Sequence, residues 1–191
     1  MTRIHKVALA CATAVALAVG ASAGAPTSAE EMTKMVGGAA MYPSKNIVQN
    51  AVNSKDHTTL VAAVKAAGLV PTLESPGPFT VFAPTNEAFK KLPAGTVEML
   101  LKPENKDKLK SILTYHVVPG RLTTRDLREK VKEGHGKAML KTAEGEDLTV
   151  EEKDGKLWII DQKGDKAQIT IANVMQSNGV IQVINHALLP G

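Results

Sequence analysis

Residues 77–89 read Gly77-Pro78-Phe79-Thr80-Val81-Phe82-Ala83-Pro84-Thr85-Asn86-Glu87-Ala88-Phe89, and the reading of this stretch decides the fold. Phe79 to Ala83 is a run of β-branched and aromatic residues and predicts a strand. Phe79 and Val81 fall on one face of it, Thr80 and Phe82 on the other. Pro84 has no N–H to give to a ladder and stops the strand. Thr85 or Asn86 then caps a short helix that carries Ala88, Phe89 and Leu92. A second block lies near the C-terminus, Asn178-Gly179-Val180-Ile181-Gln182-Val183-Ile184-Asn185-His186-Ala187-Leu188-Leu189-Pro190. There Asn178-Gly179 reads as a turn, with Gly179 tolerating φ > 0.

Between and around the blocks the hydrophobic period changes once. Ile47 to Val52 reads as a short helix. A second follows, capped by Asp56, striped by Leu60, Val61 and Val64, and ended by Gly68. Pro93-Ala94-Gly95-Thr96 is a turn and cap before Val97, Leu100 and Leu101. Pro103 suits a first helical turn, and Leu109, Ile112, Leu113 and His116 follow at i, i+3, i+4 and i+7 on one face. Thr124 caps a short helix through Leu127 and Val131. From Met139 the period becomes two: Leu148 and Val150 alternate with Thr149 and Glu151, Asp154-Gly155 signals a hairpin, and Leu157 to Ile160 returns. Gln168 to Val174 and Val180 to Ile184 form a further pair. Helices dominate the first two-thirds and strands the last third, an α+β domain without internal repeat.

Taken together, Thr80 to Phe89, Tyr115-His116, and Asn178 to Ile181 with Leu188-Leu189-Pro190 resemble the ordered signature blocks of the fasciclin (FAS1) family. The resemblance covers residues 45–190 and is nearest to small secreted single-domain members from bacteria. It implies a wedge of two antiparallel β-sheets with helices packed around it, and a non-enzymatic role in adhesion, matrix contact or surface attachment. This chain departs from the pattern at Gln182, where members often have His, and at Asn185, where they often have Asp. In animal relatives an Asp-Ile pair before the second block is linked to integrin recognition. Asn173 and Val174 stand at those positions here, so the carboxylate that could ligate an integrin's metal is missing.

The first residues read as an export signal. Arg3, His5 and Lys6 form a basic start, Val7 to Val19 an apolar run, and Ala21-Ser22-Ala23 the small residues before a cut after Ala23. The run is shorter than the about 20 apolar residues of a membrane span. Only Val7 to Ala10 separate Lys6 from Cys11, too few for a lipoprotein h-region, so Cys11 reads as a small residue of the signal core. The mature chain is then free of cysteine, which excludes disulfides, thiolate metal sites and cysteine nucleophiles. Residues 24–44 are rich in glycine and alanine and read as a flexible lead-in. Arg3 and Lys6 belong to the signal, so the remaining basic residues nearly balance the 19 acidic ones. They are interspersed with them rather than clustered, which argues against nucleic-acid binding.

Catalytic constellations are missing: there is no His-Glu-x-x-His, Gly-x-Ser-x-Gly or P-loop, and the five histidines are not paired at metal-ligand spacing. The chain therefore reads as a non-enzyme without cofactor. Met32, Met35 and Met41 lack a nearby histidine and read as incidental rather than as a Cu(I) site. Asp161 and Asp165 lack calcium-loop spacing and read as a solvated turn. Candidate contact residues are Tyr115, His116, Asn173, Val174 and Trp158, each with a packing role as the alternative. Thr80, Val81, Phe82, Ala83, Pro84, Thr85, Phe89, Asn178, Gly179, Val180 and Ile181 read as motif residues with structural duties. The leading expectation is an exported binding module for a protein or glycan on a cell surface or matrix, without membrane insertion. A carrier of a small apolar ligand such as a carotenoid, which some relatives bind, and a structural envelope protein are the alternatives.

Overall fold

The computed structural model describes residues 33–191. The expected signal (1–23), Cys11, Met32 and the start of the lead-in lie outside the described residues. The rest of the expected flexible lead-in is instead a small hairpin, β1 (Lys34–Val36) and β2 (Ala39–Met41), paired antiparallel. Burial is the reason: Val36 and Met41 are both inserted into the core, and the Lys55 N–H donates to Gly37 O at 3.1 Å. Two apolar anchors suffice to dock a segment whose composition otherwise reads as a linker.

The helices follow the capping chemistry. Asn46 and Gln49 form a capping box that starts α1 (Ile47–Ala51). A 3-10 turn at Lys55–His57 leads into α2 (Thr58–Ala67), which ends at Gly68 with φ 71°. α3 (Val70–Glu74) is followed by β3 (Phe79–Pro84), and the Thr85 hydroxyl accepts from the Ala88 N–H to start α4 (Asn86–Lys90). α5 (Thr96–Leu100) and α6 (Lys106–Tyr115) come next, then β4 (Val117–Pro119). α7 (Thr124–Glu133) is capped by Thr123 rather than Thr124, because Asp126 at N3 closes a capping box onto Thr123. The remaining strands are β5 (Lys137–Lys141), β6 (Asp147–Lys153), β7 (Lys156–Ile160), β8 (Lys166–Gln176) and β9 (Gly179–Ile184).

The seven long-sheet strands run in the order β4-β3-β9-β8-β7-β6-β5. All neighbours are antiparallel except β3 and β9, which run parallel in register from Phe79↔Gly179 to Pro84↔Ile184. The two signature blocks are thus adjacent strands. A parallel pair needs both faces covered, and all six residues of β9 are buried. β8 belongs to two arms of the sheet: its start pairs with β7, and from Ile169 onward it pairs with β9. Register shifts between Ile169, Ile171 and Val174 mark the bulges that turn it.

Each arm has its own core. Val81, Ala83, Ile181, Val183 and Val174 pack with Leu60, Val64, Leu109, Ile112 and Leu113 of the helices. Phe82, Val118, Ile184 and Tyr115 pack with Leu127 and Val131 of α7 and with Leu148, Val150, Leu157 and Ile159. This is the α+β class that the sequence predicts, with helices packed on the strands. Where the resemblance implies two antiparallel sheets, the two arms join in one mixed sheet through the parallel β3–β9 pair. Strand β3 sends Val81 to one core and Phe82 to the other.

Candidate functional site

Tyr115 and His116 sit at the end of α6, where its apolar stripe delivers them into the protein. His116 is 2 % exposed. Its Nδ1 lies 2.8 Å from the Ile112 carbonyl and its Nε2 accepts from the Leu188 N–H at 3.0 Å, so the ring is the neutral Nδ1–H tautomer. Burial lowers its pKa from 6.5 to about 4, against opposing pulls from the Ile112 carbonyl and the Asp161 carboxylate. The Tyr115 hydroxyl donates to Asp147 O and accepts from the Gln162 N–H, each at 3.2 Å. Burial, aided by the Asp161, Glu146 and Glu144 carboxylates, raises its pKa to about 12. Asp161 completes this junction. It is buried, not solvated: its carboxylate accepts from the N–H groups of Lys163, Asp165 and Leu189 at 2.9–3.0 Å. His116 and Asp161 together pin the Leu188-Leu189 end of the second signature block.

Asn173 adopts φ 54° in the second bulge of β8. Its side-chain oxygen accepts from the Thr124 N–H at 2.8 Å and its NH₂ donates to Thr124 Oγ1 at 2.9 Å. Gln182 spans the same place, accepting from the Asn173 N–H at 2.9 Å and donating to Leu122 O at 3.0 Å. Asn173 is therefore tied to the start of α7, and Val174 is 1 % exposed within the core. Thr80 is fully buried and bridges Gly120 O and the Leu122 N–H.

Asn178 is the junction of the first helices with the sheet. Its side chain accepts from the Ile47 N–H at 3.1 Å and donates to Leu73 O and Ser75 O at 2.7 and 2.9 Å. Gly179 is required for a reason other than the positive φ that the turn suggests. A Cβ there would stand 2.1 Å from the Phe79 carbonyl oxygen, so close approach of β3 and β9 demands the missing side chain.

An apolar cavity of about 90 Å³ lies between α1, α2, α3 and the inner face of β3, β9 and β8. Val36, Met41, Leu60, Val64, Val81 and Ile181 are among its walls, and His116 and Val174 reach it as well. His57 lines it too, beside Ser54. The ring is 3 % exposed, with Nδ1 2.8 Å from Ser54 Oγ. Its Nε2 is the buried side-chain nitrogen or oxygen that lacks a hydrogen bond among the described residues. Burial holds the His57 pKa below 6.5; the Ala83 carbonyl and the Asp56 carboxylate pull the other way, without the carbonyl closing a hydrogen bond.

The family-model comparison matches the fasciclin domain over residues 55–190. The chain belongs to the fasciclin domain family. It is 48 % identical over 189 residues to the Synechocystis protein sll1483, covering 99 % of this chain and 98 % of that one. It is 38 % identical over 131 residues to the pig transforming growth factor-beta-induced protein ig-h3, covering 69 % of this chain but 17 % of that much longer one. Its fold matches a FAS1 domain pair from the insect cell adhesion molecule fasciclin I with a TM-score of 0.70 at 23 % identity, over 78 % of this chain and 52 % of the pair.

Within this fasciclin domain the five candidate contact residues do not converge. His116 and Val174 reach the cavity, Tyr115 belongs to the other core, and Asn173 is at the foot of α7. Trp158 is half-buried, with Glu151 and Gln168 as its cross-strand neighbours. Among the described residues no group of three His, Cys, Asp or Glu is placed to hold a metal, and no helix is long and apolar enough to cross a membrane. Met41 is buried while Met35 is exposed, so they share no site. The hairpin and α1 precede the matched residues, yet they supply Val36, Met41 and Ile47 to the cavity wall. Sequence reasoning missed His57, although it opens the α2 stripe: His57, Leu60, Val61 and Val64 stand at i, i+3, i+4 and i+7.

Proposed function

We propose that this fasciclin domain is an exported, non-enzymatic module that contacts a protein or glycan on a cell surface or matrix. The observation that carries the reading is the family match across residues 55–190. The geometry agrees with it. A catalytic acid, base or nucleophile must present a free atom to substrate. His116, Tyr115 and Asn173 instead spend their polar atoms on backbone or neighbouring side chains. The integrin-type mode is not part of the proposal, since Asn173 replaces the carboxylate and Val174 is enclosed. The test is attachment: deleting the gene should lower adherence of the producing cells, and adding back the purified protein should restore it. Unchanged adherence across growth conditions overturns the reading.

The cavity supports a second reading, a carrier of a small apolar ligand. At about 90 Å³ the void is smaller than the roughly 150 Å³ that takes up benzene. It cannot enclose a carotenoid, and that version of the carrier reading is set aside.

A further inference from the structure

We propose that the cavity behind α2 binds a small, mostly apolar molecule bearing one hydroxyl or carbonyl group, seated by a hydrogen bond to His57 Nε2. The inference rests on the carrier reading and adds the chemistry of the ligand. Apolar cavities are normally dry and need no polar atom in their walls. This one has a buried imidazole nitrogen with no partner, a costly arrangement that protein interiors avoid unless something fills the gap. His116 on the same lining shows the ordinary outcome, with both ring nitrogens occupied.

The partner of Nδ1 sets what Nε2 can accept. Ser54 Oγ can either give a proton to Nδ1 or receive one from it, leaving Nε2 a donor or an acceptor. A ketone uses the first state and a hydroxyl uses either. The apolar walls and the burial that keeps the ring neutral exclude a charged ligand. Size limits the enclosed part to less than benzene, and exposed Lys65 and Thr72 on the lining mark the side open to solvent.

The full-length mature protein, with ¹⁵N-labelled histidine, is titrated with 2-propanol and separately with 2-methylpropane, which has a methyl in place of the hydroxyl. The wild-type readout is the Nε2 resonance of His57. The alcohol should move it saturably and the alkane should not. In His57→Phe the preference for alcohol over alkane should fall about fivefold, the worth of one net hydrogen bond. The resonance readout needs no variant and stands if His57→Phe does not fold. Binding of both probes with Nε2 unmoved overturns the His57 anchor and leaves the carrier reading in place. Binding of neither overturns both.

Discussion

Lowering the pH from 7 to 4 should cost this fold about 3 kcal/mol through His116. The ring titrates at 6.5 when unfolded and at about 4 when held between Ile112 O and the Leu188 N–H. Each unit of pKa difference corresponds to about 1.4 kcal/mol, so the pair of values gives about 3 kcal/mol. The folded pKa is the lower one, so as pH falls the unfolded chain takes the proton first. The contribution is unchanged above about 6.5, erodes between 6.5 and 4, and levels off below 4. Protonation also gives Nε2 a hydrogen that faces the Leu188 N–H, which turns an attraction into a clash of donors. Urea unfolding followed by Trp158 fluorescence at pH 7, 5.5 and 4 measures the loss. Other groups contribute to the acid response, so the decisive quantity is the difference between wild type and His116→Leu. At pH 7 the variant should be less stable by about 2–4 kcal/mol, because Ile112 O and the Leu188 N–H lose their partner. Between pH 7 and 4 it should lose about 3 kcal/mol less than wild type. Equal pH dependence in the two proteins refutes the argument, as does an NMR titration in which wild-type His116 protonates near 6.5.

Three further outcomes follow from single contacts. Gly179→Ala should cost more than about 4 kcal/mol or prevent folding, because its Cβ meets the Phe79 carbonyl at 2.1 Å; a melting curve close to wild type would refute the close approach. Asn178→Asp should cost about 2–4 kcal/mol at pH 7, since a carboxylate cannot donate to Leu73 O and Ser75 O; a loss under about 1 kcal/mol in urea melts would contradict those bonds. Met41→Ala should cost about 2–4 kcal/mol and speed hydrogen exchange of the hairpin amides, while unchanged exchange would mean that Met41 does not dock it.

Local chemistry was legible and long-range chemistry was not. The order strand, proline, cap, helix at Phe79–Lys90 depends on neighbours in sequence, as does the α6 stripe that buries His116. The parallel pairing of β3 and β9 joins segments about a hundred residues apart and depends on cover over both faces, which local periodicity does not encode. Asp161 looked solvated because a charged residue in a turn usually is; its three backbone donors come from the turn itself and from the C-terminal segment. At the site, the motif drew attention to Tyr115 and His116, whose atoms are all satisfied. His57 carried the helical spacing that points it inward but no motif.

The motif residues are the ones least able to recognise a partner. Thr80 holds the loop before α7, Asn173 and Gln182 fix the bulge of β8, Asn178 joins α1 and α3 to the sheet, and His116 pins the C-terminal segment. Every one of these uses its polar atoms on backbone or on a neighbouring side chain, and the buried ones would break the fold if they turned outward. On the proposed surface role, a partner would be read by residues outside the signature blocks, such as the half-buried Trp158 and its strand neighbours or the exposed sides of the helices. The cavity, with its partnerless His57, lies on the opposite side of this division: mostly buried, apolar and walled in part by Val36, Met41 and Ile47, which precede the matched family segment. On the two proposals, surface contact and ligand binding would draw on separate residues, and a substitution at His57 should leave adherence intact while one at Trp158 should leave the cavity intact.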